Sequence, residues 1–194
     1  MIRLVTVSTI VLALLPFTVS EARSQDRLDL SGLEINAHGG LAILDASETN
    51  EFYAGGTALL HFGSGIAFGG TVDWVGVTVE DVVEDADEDA TIWYYSGELS
   101  YGFPSVTQAQ FYGFLGAGVA QTKPGDALSD AGVEDESHLM VPLGVGFRWL
   151  NDKLDPSWGA NFEFRDRVVY IDEDETKVSN DWSISLGLSL VLGG

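Results

Sequence analysis

Seven charged residues of both signs lie on the polar side of segments that alternate between apolar and polar residues. They are Glu34, Asp73, Glu98, Arg148, Glu163, Arg165 and Arg167. Carboxylates and guanidinium groups form charge-assisted hydrogen bonds, and such groups must be paired when they are removed from water. If these side chains share one interior, they predict a structural network of ion pairs. The alternative is a gate, in which the pairs exchange partners and let small ions pass.

A hydroxyl, an imidazole and a carboxylate occur together at Glu136, Ser137 and His138. A nucleophile, a base and an orienting acid could support hydrolysis if their side chains met in the geometry of a catalytic triad. The serine directly precedes the histidine, however, and the chain has only three histidines, at positions 38, 61 and 138. We therefore expect this trio to be incidental and the protein not to be an enzyme.

An acidic run includes Asp85, Asp87 and Asp89, whose spacing is that of the start of a calcium-binding loop. Ala90 stands where such a loop needs glycine, and Ser96 stands at the twelfth position, where it needs a bidentate glutamate. We expect no specific metal site and no cofactor. A solvated acidic surface accounts for the run.

The elements that must position these side chains are eight alternating segments. In the fourth segment, Trp93, Tyr95 and Leu99 fall on one face, and Tyr94 and Glu98 fall on the other. A period of two is that of a β-strand, whose successive side chains point to opposite faces. The segments are residues 33–44, 52–62, 66–79, 91–103, 109–121, 138–150, 158–171 and 182–192. The sequence thus predicts an all-β fold of eight strands.

The connections between the segments alternate strictly between short and long. The short ones are residues 63–65, 104–108 and 151–157. The long ones are residues 45–51, 80–90, 122–137 and 172–181. In transmembrane barrels the periplasmic turns are short and the outer loops are longer. The alternation therefore predicts an antiparallel up-and-down barrel with both termini in the periplasm and the acidic loops outside.

The apolar face of each segment indicates which side of the barrel wall meets lipid. Its residues are Leu33, Ile35, Leu41, Ile43, Phe52, Ala58, Leu60, Ile66, Phe68, Val72, Trp74, Leu115, Val119, Leu139, Val141, Leu143, Val145, Phe162, Phe164, Ile184, Leu186, Leu188 and Leu190. Lys, Arg and Glu, which are unfavourable toward lipid, do not occur among them. Aromatic residues cluster at both ends, as rings do at membrane interfaces. The alternative is a soluble barrel or sandwich in which this face is the core.

The inward face is then polar, and it brings specific charges to similar depths. Arg165 lies near mid-height of the seventh strand, and Glu98 lies at a similar depth on the fourth. Because the interior of an eight-stranded barrel is only wide enough for side chains to fill it, an unpaired guanidinium there is unfavourable. We expect Arg165 to contact Glu98 directly or through Glu163.

The first residues and the overall composition narrow the class of protein further. Residues 1–22 have a positive charge at Arg3, then an apolar stretch, then small residues at Ser20 and Ala22, which predicts a secretory signal peptide. Residues 23–194 then form one barrel domain. The chain has no cysteine, so disulfides and a lipid-modified cysteine are excluded. A net charge of -21 excludes a phosphate-backbone partner such as nucleic acid.

Glycine-punctuated strands carry a resemblance to a known family. They are residues 112–119 (YGFLGAGV), 141–148 (VPLGVGFR) and 159–165 (GANFEFR). The chain resembles the small outer-membrane β-barrel family that includes the OmpA transmembrane domain and OmpX. The resemblance implies export to the outer membrane and an assembly signal for the insertion machinery at Gly187, Leu190 and Leu192. The chain ends Leu192-Gly193-Gly194, where the family usually has an aromatic residue.

The resemblance and the charge pattern together predict a non-enzymatic envelope protein with a structural or adhesive role. We expect a monomer surrounded by outer-membrane lipid and lipopolysaccharide, whose phosphates could be bridged weakly to the acidic loops by divalent ions. No extracellular partner is identified by the sequence. The alternatives are a narrow pore for small ions or solutes and a lipid A-modifying enzyme, since such enzymes also use eight-stranded barrels.

Overall fold

The structure is a computed structural model of the chain. It describes residues 30–45, 49–63, 65–83, 86–103, 108–125, 129, 132, 134–151, 156–171 and 178–193, and the side chains of Thr49 and of residues 78–89 lie outside the described part. The predicted signal peptide, residues 1–22, also lies outside the described residues. Within the described ranges, no helix is long and apolar enough to cross a membrane.

Eight antiparallel strands close into a barrel, which confirms the predicted fold class. The strands are β1 (Ser31–Leu44), β2 (Thr49–Phe62), β3 (Ile66–Val83), β4 (Ala86–Gly102), β5 (Ala109–Pro124), β6 (Glu136–Asn151), β7 (Ser157–Tyr170) and β8 (Val178–Leu192). Each strand pairs with the next one along the chain, and β8 pairs with β1. We call the end with Ser31 and Leu192 the terminal end and the opposite end, toward Val83 and Ala86, the distal end.

The register of the strands sets the width of the barrel. A path from Leu33 through directly paired residues crosses all eight strands and returns to β1 at Ile43, a stagger of ten residues. The residues on this path between the two are Leu60, Phe68, Leu99, Leu115, Leu143, Asp166 and Trp182. Such a stagger tilts the strands by about 35–45° and leaves an interior that side chains can fill.

Alternation along each strand places the apolar face outside, as predicted. Leu139 is 71% exposed and its neighbour Met140 is 2% exposed, because successive side chains point to opposite faces of the wall. Aromatic rings pack against one another toward both ends of this face. Phe111 and Phe147 lie 5.1 Å apart near the terminal end, and the rings of Trp93 and Tyr95 stack at 6.2 Å near the distal end.

The prediction of a long loop over residues 80–90 is wrong. β3 continues to Val83 and β4 begins at Ala86, so these residues form a two-stranded ribbon with Thr78 paired to Asp89 and Val79 to Glu88. In the sequence, a strand is recognised by its apolar face. A ribbon that extends past the apolar band can be polar on both faces, so it lacks this signal. The acidic residues here interrupted the alternation without interrupting the strand.

The other long connections are also shorter than predicted, because strands continue into them. β2 begins at Thr49, β5 extends to Pro124, β6 begins at Glu136 and β8 begins at Val178. The two distal links before β2 and β4 are only residues 45–48 and 84–85, so the strict alternation of short and long links is not kept. The order of the strands is unaffected, since antiparallel neighbours need only a tight turn.

An apolar cluster lies inside the barrel near the distal end, where the inward face was expected to be polar. We call it the distal apolar cluster, and its buried members are Ala42, Leu44, Tyr53, Val75, Val77, Tyr94, Ala120, Met140 and Val169. These side chains share the inward face with the charged residues but lie closer to the distal end. The interior is therefore charged along most of its length and apolar where it approaches the distal mouth.

Candidate functional site

All seven charged residues predicted to line the interior are buried inside the barrel. Five strands supply them: β1, β3, β4, β6 and β7. The three arginines, Arg148, Arg165 and Arg167, are at most 2% exposed. Buried guanidinium groups require partners, and each of the three lies at the centre of a separate cluster.

The terminal cluster surrounds Arg148. Arg148 Nη1 donates to Glu34 Oε2 across the lumen, and His61 Nε2 lies 2.7 Å from the same carboxylate oxygen. The guanidinium stacks over the ring of Tyr112, with its central carbon 4.2 Å from the ring centroid. A positive charge on an aromatic face is stabilised electrostatically, most of all where water is excluded. This cluster brings β1, β2, β5 and β6 together.

The central cluster surrounds Arg165, which contacts two carboxylates at once. Both guanidinium Nη atoms donate to Glu98, the second of them to Oε2 at 3.2 Å, and Nε donates to Glu163 Oε1 at 2.9 Å. Tyr112 donates its hydroxyl proton to Glu163 Oε2 at 2.9 Å, and the ring centroid of Phe114 lies 4.3 Å from the guanidinium carbon of Arg165. Arg165 thus contacts Glu98 directly and Glu163 beside it, the two routes that the strand positions predicted.

The distal cluster surrounds Arg167. Its Nη2 donates to Asp73 Oδ2, and its Nη1 donates to Ser183 Oγ at 2.9 Å. The second oxygen of Asp73 lies 2.7 Å from His38 Nε2. His38 Nδ1 in turn lies 2.9 Å from Asn36 Oδ1. The carboxylate of Asp73 therefore has a partner on each oxygen.

Two tyrosines connect the distal cluster to the apolar residues beyond it. The guanidinium of Arg167 lies 4.6 Å from the ring centroid of Tyr94 and 5.4 Å from that of Tyr53. Tyr94 donates its hydroxyl proton to Asp181 Oδ2 at 2.8 Å. Both tyrosines belong to the distal apolar cluster. Every lumen arginine is thus paired with carboxylate and covered by an aromatic ring.

Several members of these clusters were not singled out from the sequence. His38, His61 and Asp181 each contact a predicted residue or its neighbour, yet they were not assigned to the network. The signal was present: His38 has the same parity on β1 as Glu34, so alternation alone places it inside. Which carboxylate each histidine meets depends on the register between strands.

The trio at the distal start of β6 is not arranged as a catalytic triad. His138 Nε2 lies 3.2 Å from Glu136 Oε2, and the two alternate with Ser137, whose side chain therefore points to the other face of the strand. The side chains of Asp85, Asp87 and Asp89, the candidate calcium ligands, lie outside the described residues. Among the residues described, three or more His, Asp or Glu side chains are nowhere grouped to hold a metal ion.

The residues of the predicted assembly signal lie on the strand that closes the barrel. Leu190 pairs with Ile35 of β1 and Trp158 of β7, and Leu192 pairs with Leu33. Both leucines are exposed on the outer surface, at 38% and 39%. Gly187 lies on the opposite face of β8, toward the lumen.

Asp166 lies on the outward face between apolar residues, and the sequence analysis did not identify it. Asp166 alternates with Arg165 and Arg167, so it points away from the lumen, between Leu143 of β6 and Trp182 of β8. It is half-buried, and its Oδ1 has no hydrogen-bond partner within the described part of the chain. An isolated carboxylate on an otherwise apolar wall is unfavourable, which makes Asp166 a departure from the pattern.

No protein-family model matches the chain, and no curated protein matches its sequence. Solved structures do share its fold. Neisserial surface protein A superimposes with a TM-score of 0.55 at 13% identity, over 82% of this chain and 96% of that one. The outer membrane protein OprG from Pseudomonas aeruginosa gives a TM-score of 0.50 at 13% identity, over 85% and 98%. The chain therefore has the fold of the small outer-membrane β-barrel family that its glycine-punctuated strands resemble.

Proposed function

We propose that the chain is a non-enzymatic outer-membrane barrel with a structural or adhesive role and a lumen closed by paired charges. The observation that carries this proposal is the interior: three arginines, each paired with carboxylate and covered by an aromatic ring, fill it from the terminal cluster to the distal apolar cluster. Side chains that fill the lumen in this way leave no continuous aqueous path.

The outer surface supports a membrane location. Leu186 and Leu188 are 69% and 67% exposed, and they belong to an apolar band that runs around all eight strands. Soluble monomers rarely expose a contiguous apolar patch of more than a few hundred Å². We infer that this band lies against lipid, since an apolar outer face around a charged interior is the arrangement of transmembrane barrels.

The termini and the acidic ribbon of β3 and β4 lie at opposite ends of the barrel, and we infer the orientation from this arrangement. We place the terminal end in the periplasm and the distal end outside, with residues 1–22 as a cleaved signal peptide and Gly187, Leu190 and Leu192 as the signal for insertion. Heat-modifiable migration of the protein from outer-membrane fractions tests the barrel. A peptide tag inserted after Asp87 should be accessible to antibody on intact cells. A tag that is detected only after the outer membrane is permeabilised contradicts the orientation.

The closed lumen is tested by conductance. The purified barrel, reconstituted in planar bilayers, should show no channels above the lipid background. The matched control is a barrel with Arg165→Ala and Glu98→Ala together, which removes the central pair and opens space at mid-height. Conductance of the unaltered protein at a level comparable to this control would refute a closed lumen.

A narrow ion pore is the second candidate, and one observation favours it. Arg165 contacts both Glu98 and Glu163, so its guanidinium could exchange between two carboxylates without losing all of its partners. If the central cluster is a gate, Glu98→Gln should change how often the channel opens, since it weakens only one of the two partners. A closed structural network predicts that this variant stays silent in the same bilayers.

The adhesive role rests on the ribbon at the distal end. Residues 80–89 carry seven acidic side chains and no basic one, and the ladder between Val83 and Ala86 holds the two strands together. We propose that this acidic ribbon contacts a surface outside the cell. Replacing residues 81–89 with a short turn should reduce attachment to neighbouring cells or matrix. The matched control keeps the length and replaces the acids with Asn and Gln, so it separates loss of charge from loss of the ribbon.

The same acidic distal end should also affect the interaction of the barrel with the phosphates of lipopolysaccharide. Carboxylates repel lipid phosphates unless a divalent cation bridges them. We propose weak bridging of this kind around a monomeric barrel. Attachment of purified lipopolysaccharide to the barrel in nanodiscs should then depend on Mg²⁺ and fall when Mg²⁺ is chelated, and the control with Asn and Gln in the ribbon should lose that dependence.

A further inference from the structure

A small cavity inside the barrel separates the terminal cluster from the central cluster. Its volume is about 20 Å³. The residues that matter for its chemistry are Glu34, Glu98, Ser100, Arg148, Asn161 and Glu163. They come from four different strands, β1, β4, β6 and β7, so the cavity lies where side chains from opposite sides of the lumen meet.

Three polar atoms of the cavity lining have no hydrogen-bond partner in the described part of the structure. They are Ser100 Oγ, Arg148 Nε and Asn161 Oδ1. Ser100 is 3% exposed and Arg148 is 2% exposed, so neither atom reaches bulk water. Buried polar atoms in native proteins are nearly always paired with protein or with ordered water. Three unpaired atoms around one cavity point to a ligand that pairs with all of them.

The donors and acceptors define that ligand. Arg148 Nε carries a proton to donate, Asn161 Oδ1 accepts, and the hydroxyl of Ser100 can do either. An anion would lie against the carboxylates of the lining, and a cation would face the guanidinium of Arg148. A neutral molecule that both donates and accepts is compatible with every group. The volume admits one such molecule of the size of water.

We propose that this cavity binds a single water molecule that hydrogen-bonds to Arg148 Nε, Ser100 Oγ and Asn161 Oδ1. The water joins β4, β6 and β7 at one point. It also links the terminal cluster, through Arg148, to the strands that carry Glu98 and Arg165. Tyr112 provides a second link between the same clusters, since it stacks on Arg148 and donates to Glu163. Tyr112 and the proposed water therefore both join the terminal cluster to the central cluster.

The direction in which Ser100→Ala changes the stability of the barrel distinguishes a cavity that holds water from a dry cavity. Ser100→Ala removes a partner of the water, so the unfolding equilibrium constant in urea should rise about fivefold. In a dry cavity the same change removes an unpaired buried hydroxyl, which leaves stability unchanged or raises it. The matched control is Ser189→Ala, which removes a hydroxyl that accepts directly from Asn36 at 2.9 Å. If Ser189→Ala destabilises the barrel and Ser100→Ala does not, the proposal is overturned.

A direct observation uses the unaltered barrel refolded in micelles. The Nε proton of Arg148 should show a nuclear Overhauser cross-peak at the frequency of water, with the sign of a long-lived complex. Absence of that cross-peak, when the Nε protons of Arg165 and Arg167 are resolved in the same spectrum, means that the cavity is dry. Exchange of Na⁺ for K⁺, or of Cl⁻ for nitrate, at constant ionic strength should leave stability unchanged. A shift specific to one ion assigns the cavity to that ion instead.

Discussion

Arg165 illustrates at the scale of single residues how the lumen combines charge and packing. Its guanidinium is shared by Glu98 and Glu163 and covered by Phe114, so three kinds of contact converge on one buried group. A buried ion pair is not by itself a large source of stability, because desolvation of both ions opposes their attraction. Breaking such a pair is nevertheless costly, because one charge is left without its partner.

Removal of one partner tests this asymmetry. Glu98→Ala should destabilise the barrel by about 3–5 kcal/mol, and the double change Glu98→Ala with Arg165→Ala should cost clearly less than the sum of the two single changes. Urea unfolding in micelles measures this coupling. The control pairs Glu98→Ala with Ser183→Ala, whose hydroxyl contacts Arg167 instead, and there we expect additivity within about 0.5 kcal/mol. Zero coupling between Glu98 and Arg165 contradicts the pairing.

Asp166 is the opposite case, a charged residue whose position opposes stability. Its Oδ1 has no partner among the described residues, and its neighbours across the strands are Leu143 and Trp182. Asp166→Leu should therefore stabilise the refolded barrel by about 1 kcal/mol, the usual cost of a buried acceptor left unpaired. The same urea titration measures it, with the exposed Asp135→Asn as a control that should change little. Loss of stability in Asp166→Leu would indicate a partner for this carboxylate.

At the scale of elements, the ladder between β5 and β6 is interrupted in the middle of the barrel wall. The ladder of β5 and β6 pairs Leu115 with Leu143 and Gly118 with Met140, but the two positions between them are not paired. Pro142 lies at this gap, and proline has no amide proton to donate to a ladder. Every strand of a closed barrel is paired on both sides. A proline in the middle of a strand, such as Pro142, must therefore interrupt one of the two ladders.

The interruption predicts a local difference in hydrogen exchange. In micelles, the amide of Gly116, which faces the gap, should exchange faster than that of Gly118, which flanks the gap and faces the same neighbouring strand. Pro142→Ala restores a donor on β6 and should reduce that difference. Uniform protection along β5 in the unaltered protein would show that the ladder is continuous in solution.

At the scale of the whole molecule, charge is distributed very unevenly. The chain carries 30 acidic and 9 basic residues. Three of the basic residues are already paired in the lumen. The ribbon of β3 and β4 adds an acidic run at the distal end, and like charges that are close in sequence repel one another. Salt screens such exposed charges over about 10 Å at 0.1 M, and it screens buried pairs much less.

Stability should therefore rise with ionic strength. We expect the urea midpoint of the barrel in neutral detergent to be higher in 0.5 M than in 0.02 M NaCl, because screening relieves repulsion at the distal end. The variant with Asn and Gln in place of the acids of residues 80–89 should be less sensitive to salt. A midpoint that falls with salt in the unaltered protein would mean that exposed attractions outweigh the repulsion.

The chain by itself determined the strand order and the face of the wall on which each side chain lies. Both follow from local chemistry: a period of two assigns Glu98 to the inside and Leu99 to the outside whatever the rest of the chain does. The depth of Arg165 and Glu98 could be estimated in the same way, by counting along β4 and β7.

Only the tertiary structure decided which groups meet across the lumen. Glu34 and Arg148 are far apart in sequence, and their contact depends on the stagger of ten residues that accumulates around all eight strands. The distal apolar cluster also required the structure, because alternation shows that Tyr94 points inward but not what it meets there. The length of the acidic ribbon escaped prediction for a related reason: beyond the apolar band, strand pairing is maintained by backbone hydrogen bonds, which leave no mark on the pattern of apolar residues.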